Sequence, residues 1–187
     1  MENYIDPRKL RTRKLIMDAF IELATKKDFK DITIKDITAA ATVNRATFYY
    51  HFTDKYDLLE KVLSENIMRE IIQDVKKHQE VNEETIKSIF LSVIKFQTSI
   101  SNQCRRSYEA FAPKIETVLK YELQTVFTEL LHKQCPNHQK SELEVVAIML
   151  SWAIYGAAMH WMQHQNIPLE QYLKHVMPFI KNGMNMY

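Results

Sequence analysis

The chain reads as all-α, and three observations lead there. Glycine occurs only at Gly156 and Gly183, although strand-and-turn folds need Gly, Asn-Gly or Asp-Gly punctuation at regular spacing. The five prolines sit at apparent helix starts or in connections, with Pro178 the exception. Apolar residues recur at helical spacing through most of the sequence. A length of 187 residues suffices for one large or two small cooperative cores, so a separate head and body are both feasible.

The first helix is expected from Pro7, capped by Asp6, to about Lys27, with Leu15, Ile16, Ala19, Phe20 and Leu23 facing inward. A second begins after Thr33, whose hydroxyl can cap it. Asp36 three residues later stands in for the glutamate of a capping box. Ile34, Ile37 and Ala41 then face the core. Thr42-Val43 is a tight connection to a third helix over Asn44–Phe52, which makes helices two and three a helix-turn-helix. Thr53-Asp54 caps a fourth helix, whose apolar side runs from Tyr56 through Leu58, Leu59, Val62, Leu63, Ile67 and Ile71 to about Lys77. Further helices are expected at 83–100, 102–111, 113–133, 140–165 and 168–184, with a loop at Pro136-Asn137 and a kink at Pro178.

The third helix has two faces that want different partners. At 100° per residue Phe48 and Phe52 share one side, Ala46 and Tyr50 lie almost opposite, and Thr47 and Tyr49 flank them. Asn44 is a good N-cap. The phenylalanines pack and the other face points outward, an arrangement suited to a nucleic-acid backbone.

Net charge is only +2, so distribution matters more than the sum. Arg8, Lys9, Arg11, Arg13 and Lys14 crowd the first fourteen residues against Glu2 and Asp6, which sets a positive arm beside the third helix or simply a solvated helix start. Cys104 and Cys135 are the only cysteines and make no disulfide framework. With no apolar leader visible, a reducing cytoplasm is the expected location. The most apolar stretch, Val145 to Met162, is interrupted by Ser151, Gly156 and His160 and reads as a buried interface helix rather than a membrane span.

The run Thr33-Ile34-Lys35-Asp36-Ile37, then Ala40-Ala41-Thr42-Val43-Asn44-Arg45-Ala46-Thr47-Phe48-Tyr49-Tyr50-His51-Phe52, then Asp54-Lys55-Tyr56-Asp57-Leu58-Leu59, closely resembles the tetracycline-repressor (TetR) family. The resemblance spans about residues 8 to 63; the rest is similar only in length and helical character. It implies a three-helix helix-turn-helix head at 1–55, joined by a long fourth helix to a larger helical dimerisation and ligand-binding body at 56–187. It further implies a homodimer placing two recognition helices in successive major grooves of a palindromic double-stranded DNA operator. Carried over by position, Thr33 and Asn44 are expected to meet phosphate. Arg45, Ala46, Thr47 and Tyr49 would read base edges or methyl groups, Arg45 being the best candidate for guanine. Tyr50, His51 and Lys55 would clamp phosphate. Two positions depart from the family, which commonly has Gly where this chain has Thr42 and Ala46. Threonine is costly at positive φ, so another turn conformation is expected at Thr42. The Ala46 methyl is expected to alter operator preference.

In the body, Met149, Ala153, Gly156, Ala157 and His160 form a stripe on one helix side, where the resemblance implies dimer contact through the last two long helices. Packing within the subunit is the alternative. Phe90, Phe96, Tyr108, Phe111, Phe127, Trp152, Tyr155, Met159 and Trp161 are either core or the lining of a site for a small apolar or aromatic effector. His132, Cys135 and His138, and separately His160 and His164, have metal-like spacing without a complete ligand set, so no metal or other cofactor is expected. No phosphate-cradling loop, nucleophile elbow or paired acid and base supports an enzyme. The expected function is a repressor released by a small effector. A DNA-bound regulator acting through a protein partner, an activator and a nucleoid-associated protein are the alternatives.

Overall fold

The computed structural model describes residues 6–67, 69, 71, 78–164 and 166–184. These contain eight α-helices and no strand: α1 (Pro7–Lys26), α2 (Ile34–Ala40), α3 (Arg45–His51), α4 (Lys55–Ile67), α5 (Glu83–Gln103), α6 (Tyr108–Gln134), α7 (Lys140–His164) and α8 (Leu169–Met184), with a 3-10 turn at Phe29–Asp31. The all-α expectation holds. Most of the expected extension of the fourth helix to Lys77 lies outside the described residues.

Local chemistry sets the head's boundaries. Pro7 opens α1 while the Asp6 carboxylate accepts from the Arg8 N–H at 2.9 Å. At α2, Thr33 and Asp36 form the reciprocal capping box. The helix then ends in a Schellman motif, with the Val43 N–H bonded to the Thr38 carbonyl at 3.0 Å and the Thr42 N–H to Ala39 at 3.2 Å. That pairing requires a left-handed residue, and Thr42 supplies it at φ 54°. The expectation of another turn conformation is therefore corrected: two carbonyls gain partners, against a strain of about 1–2 kcal/mol for a non-glycine residue. Asp54 caps α4, its carboxylate accepting from the N–H groups of Tyr56 and Asp57, both at 2.8 Å.

The chain forms two compact units, the first comprising Met1–Leu63 and Ile100–Lys114, the second Ser64–Ser99 and Ile115–Tyr187. In the first, Ile16, Phe20, Ile32, Ile37, Phe48, Phe52 and Leu58 are buried together with Phe111, whose ring meets Phe29 edge-on at 5.1 Å. Leu15, expected inward, is 46% exposed; Met17 and Ala24 complete the inner face of α1 instead. The turn before α6 also holds the end of α1. Ser107 Oγ donates to the Lys27 carbonyl at 3.1 Å and Arg106 Nη1 to the Lys26 carbonyl at 3.2 Å.

The second unit is cored by Ile86, Ile89, Phe90, Val93 and Phe96 of α5, Ile115, Leu119, Leu123 and Phe127 of α6, Leu143, Ala147, Leu150, Ile154 and Ala158 of α7, and Leu173 and Met177 of α8. Two expected helices at 102–111 and 113–133 prove to be one. The break lies earlier, between Cys104 and Ser107, and α6 runs through Pro113. A proline inside a helix costs about 3 kcal/mol. Here the buried series Phe111, Ile115, Val118 and Leu119 holds the helix together on both sides of it. Helix α8 likewise continues through Pro178.

Candidate nucleic-acid interface

Helix α3 is seven residues long, too short to be stable alone, so tertiary anchorage must hold it. Phe48 is 0% exposed and its ring lies 5.8 Å from that of Phe52, while the Arg13 guanidinium sits 5.4 Å over the Phe52 ring from α1. Each buried phenylalanine contributes about 1.5–3 kcal/mol of hydrophobic stabilisation. With this face fixed, Arg45, Ala46, Tyr49 and Tyr50 are all exposed. Neither tyrosine is a core residue, and each hydroxyl has a hydrogen-bond partner within the head.

The outward side chains are ordered by bonds among themselves. The Asn44 carboxamide oxygen accepts from the Thr47 N–H at 2.7 Å and from the Thr47 hydroxyl at 2.9 Å. The hydroxyl proton of Thr47 is thereby engaged, and its methyl is what remains for an apolar contact. Arg45 Nη2 donates to the Tyr49 hydroxyl at 3.3 Å with its guanidinium 5.7 Å from that ring, so each side chain limits the other's freedom. Tyr50 accepts a hydrogen bond from Lys9 of α1, which raises the lysine's pKa above its ordinary value. His51 packs edge-on against Tyr50 at 5.0 Å. Partial burial, followed by the charges of Arg13 and Lys9, lowers its pKa, favouring the neutral imidazole.

A groove joins these groups. Arg8, Lys9 and Thr12 of α1 line one side; Asn44, Ala46, Thr47, Tyr50 and His51 line the other. The structure thus brings five of the nine residues expected to meet DNA around one concavity and adds Arg8 and Lys9 of the basic run together with Thr12. Arg8, Lys9 and Thr12 had only one visible signal, their place in a charged N-terminal stretch.

Two selected residues are otherwise engaged. Thr33 Oγ1 donates to Asp36 Oδ2 at 2.8 Å and accepts from the Asp36 N–H at 3.1 Å, so its one proton is held by the cap. The Thr33 bonds, backbone first, and then Lys27 hold the Asp36 carboxyl below its usual range. Lys55 donates to the carbonyls of Phe29 at 2.9 Å, Lys30 at 3.1 Å and Ile32 at 2.9 Å, and its ammonium lies 4.7 Å over the Phe29 ring. All three of its donors are occupied, so in this arrangement Lys55 is a clasp on the 3-10 turn rather than an outward phosphate clamp.

In the body, Met149, Ala153, Gly156 and His160 are exposed and Ala157 half-buried. Val145 and Ile148, outside that stripe, are exposed on the same helix, as is Trp152, expected as core or effector lining but 59% exposed. Phe90, Phe96 and Phe127 are core in the second unit and Phe111 in the first. His160 and His164 stack with ring centres 4.4 Å apart, and His160 Nδ1 lies 3.1 Å from the Tyr172 hydroxyl. Among the described residues no group of three His, Cys, Asp or Glu side chains converges to hold a metal. One described helix, Lys140–His164, is long and apolar enough to cross a membrane by length and composition; its Leu143, Ala147, Leu150, Ile154 and Ala158 are buried in the unit.

Residues 16–62 match the family model of bacterial regulatory proteins, tetR family. The chain is 35% identical over 102 residues to YxbF, an uncharacterized HTH-type transcriptional regulator of Bacillus subtilis, covering 54% of this chain and 27% of that protein. An uncharacterized HTH-type regulator of Haemophilus influenzae is 25% identical over 141 residues, covering 72% and 69%. The chain therefore spans about a quarter of the length of the first Bacillus relative, and 29% of a second, YvkB. Among solved structures, a transcriptional regulator of Pseudomonas aeruginosa superposes with TM-score 0.60 at 14% identity, covering 96% of this chain and 92% of that one. A TetR regulator of Streptococcus agalactiae gives 0.55 at 22%, covering 92% and 95%. The stretch similar to the tetR family of bacterial regulatory proteins is thus residues 16–62, which holds the groove residues from Asn44 to His51 but not those of α1.

Proposed function

We propose that this chain is a transcriptional regulator that binds a palindromic operator as a homodimer and represses until a small apolar or aromatic effector releases it. The observation that carries the DNA-binding part is the exposed, mutually bonded face of α3 over a buried Phe48 and Phe52. On this reading α3 enters a major groove. Arg45 and Tyr49 face base edges, Ala46 and the Thr47 methyl meet thymine methyl groups, and Asn44, Tyr50 and His51 position the helix on phosphates. The DNA-facing side chains all fall within residues 1–55, and dimerisation and effector binding are assigned to 56–187.

The dimer reading is supported by α7. Its outward Val145, Ile148, Met149 and Trp152 are large and apolar, and a methyl added at Gly156 would meet nothing within 4 Å in the single chain. An apolar face with small residues beside it suits close approach of a second α7. Effector release requires that the effector bind the DNA-free arrangement more tightly than the bound one, and the coupling must be reciprocal.

The test is a salt-dependent titration of the purified chain against a pool-selected duplex and its scrambled counterpart. A repressor of this type binds the selected duplex at least about a thousandfold more tightly at physiological salt. Equal affinity for both would sink the operator-specific reading. Occupancy of a few chromosomal sites supports local repression, whereas occupancy of very many supports a nucleoid-associated role.

A further inference from the structure

The groove between α1 and α3 contains a pairing that neither helix explains alone. The Lys9 ammonium bonds the Tyr50 hydroxyl and also lies 5.0 Å from the centre of its ring, from a position 41 residues earlier in the chain. Both side chains are exposed, Tyr50 by 62%. An exposed contact of this kind adds little to folding stability, so what matters is the set of groups it presents. An ammonium has three donors, of which the tyrosine takes one. A phenol that accepts still has its own proton to give. Two N–H donors and one O–H donor therefore remain on two adjacent atoms. The groove is lined further by Arg8, and no aspartate or glutamate is among its lining residues. Asp6, whose charge Lys9 feels, caps α1 through the Arg8 N–H at 2.9 Å.

We propose that Lys9 and Tyr50 form a two-helix seat for a single phosphate of duplex DNA. The proposal rests on the reading of α3 as the DNA-facing helix. It adds that α1 grips the same phosphate and thereby sets the angle at which α3 enters the groove. Tyr50 alone would offer one neutral donor. Paired with Lys9 it becomes part of a charge-assisted, two-point contact, the kind that holds phosphate oxygens most firmly.

The test uses the full chain and a labelled duplex of arbitrary sequence, about two helical turns long, titrated over a range of salt concentrations. Lys9→Ala is expected to weaken binding about three- to tenfold and to lower the slope of log affinity against log salt by about one. Lys9→Arg should retain that slope. Tyr50→Phe should weaken wild-type binding but add little in the Lys9→Ala background, because both groups act on one phosphate. Unchanged affinity and slope for Lys9→Ala, or losses from the two substitutions that multiply in full, would overturn the seat. Should Lys9→Ala shift the thermal midpoint, Lys9→Gln replaces it, and the slope must still fall by about one. If the wild-type chain shows no salt-dependent duplex binding, the DNA-binding reading itself fails. A wild type that binds with an affinity indifferent to residue 9 removes the seat alone.

Discussion

Helices α3 and α7 each bury one face and leave the other in solvent, yet the exposed faces have opposite chemistry. On α3 the outer residues are Arg45, Ala46, Tyr49 and Tyr50, with hydrogen bonds ordering Arg45 against Tyr49 and Lys9 against Tyr50. On α7 they are Val145, Ile148, Met149 and Trp152, flanked by Ala153 and Gly156. The first face offers donors and positive charge, which attract an anionic lattice over a distance. The second offers area that water disfavours, which rewards only close and complementary contact. A short helix can serve the first purpose because two phenylalanines hold it; the second needs length, and α7 has 25 residues.

The largest effect is expected where the inner anchor of α3 is removed. Phe48→Ala should destabilise the head by about 3–5 kcal/mol, read as an earlier unfolding transition in urea, and duplex binding should disappear with it. If binding persisted, α3 would not depend on its buried face. On α7 the outward face is the sensitive one. Met149 is 63% exposed, so Met149→Glu should leave the thermal midpoint of the protomer nearly unchanged. It should nonetheless weaken self-association by about 2 kcal/mol or more, measured by sedimentation equilibrium. An unaltered association constant would move the dimer contact elsewhere.

Lys55 separates structural from DNA-contacting charge. Lys55→Met keeps the stem but leaves the carbonyls of Phe29, Lys30 and Ile32 without their shared donor. A loss of about 1–3 kcal/mol in denaturant unfolding is expected, with the salt slope of duplex binding unchanged. A slope lower by one would restore Lys55 as a phosphate ligand. The smallest effect belongs to the turn that sets α3 after α2. Thr42→Gly relieves the φ of 54° and should stabilise the head by about 0.5–1 kcal/mol after the extra backbone entropy of glycine is subtracted. A lower thermal midpoint would mean that the threonine side chain itself has a structural part.

Much of the head was legible in the residues. Asp6, Thr33 with Asp36, Asn44 and Asp54 cap the helices they were expected to cap, and Phe48 and Phe52 are the buried pair that their spacing implied. The candidate site was legible in part: the outward face of α3 was foreseen and a positive arm beside it was one of two readings, but which α1 residues line the groove was not. The basic run gave no sign of which cation faces Tyr50, since any of five lie within seven residues of one another. Pro113 misled because a proline weighs heavily in a local reading, whereas the buried side chains on both sides of it weigh more in the folded chain.

Caps, helical period and anchoring aromatics act within one or two turns, so their outcome is written locally and can be read there. The Lys55 clasp reaches 23 residues back to Ile32 and the Lys9–Tyr50 pairing reaches across 41. Whether a lysine meets carbonyls, a tyrosine or an open groove depends on which backbone the fold brings alongside it. The same holds for Thr42, whose left-handed backbone follows from the Schellman bonds that close α2. These choices belong to the tertiary structure because hydrogen bonds and ring contacts act over a few ångströms of space, whatever the separation along the chain.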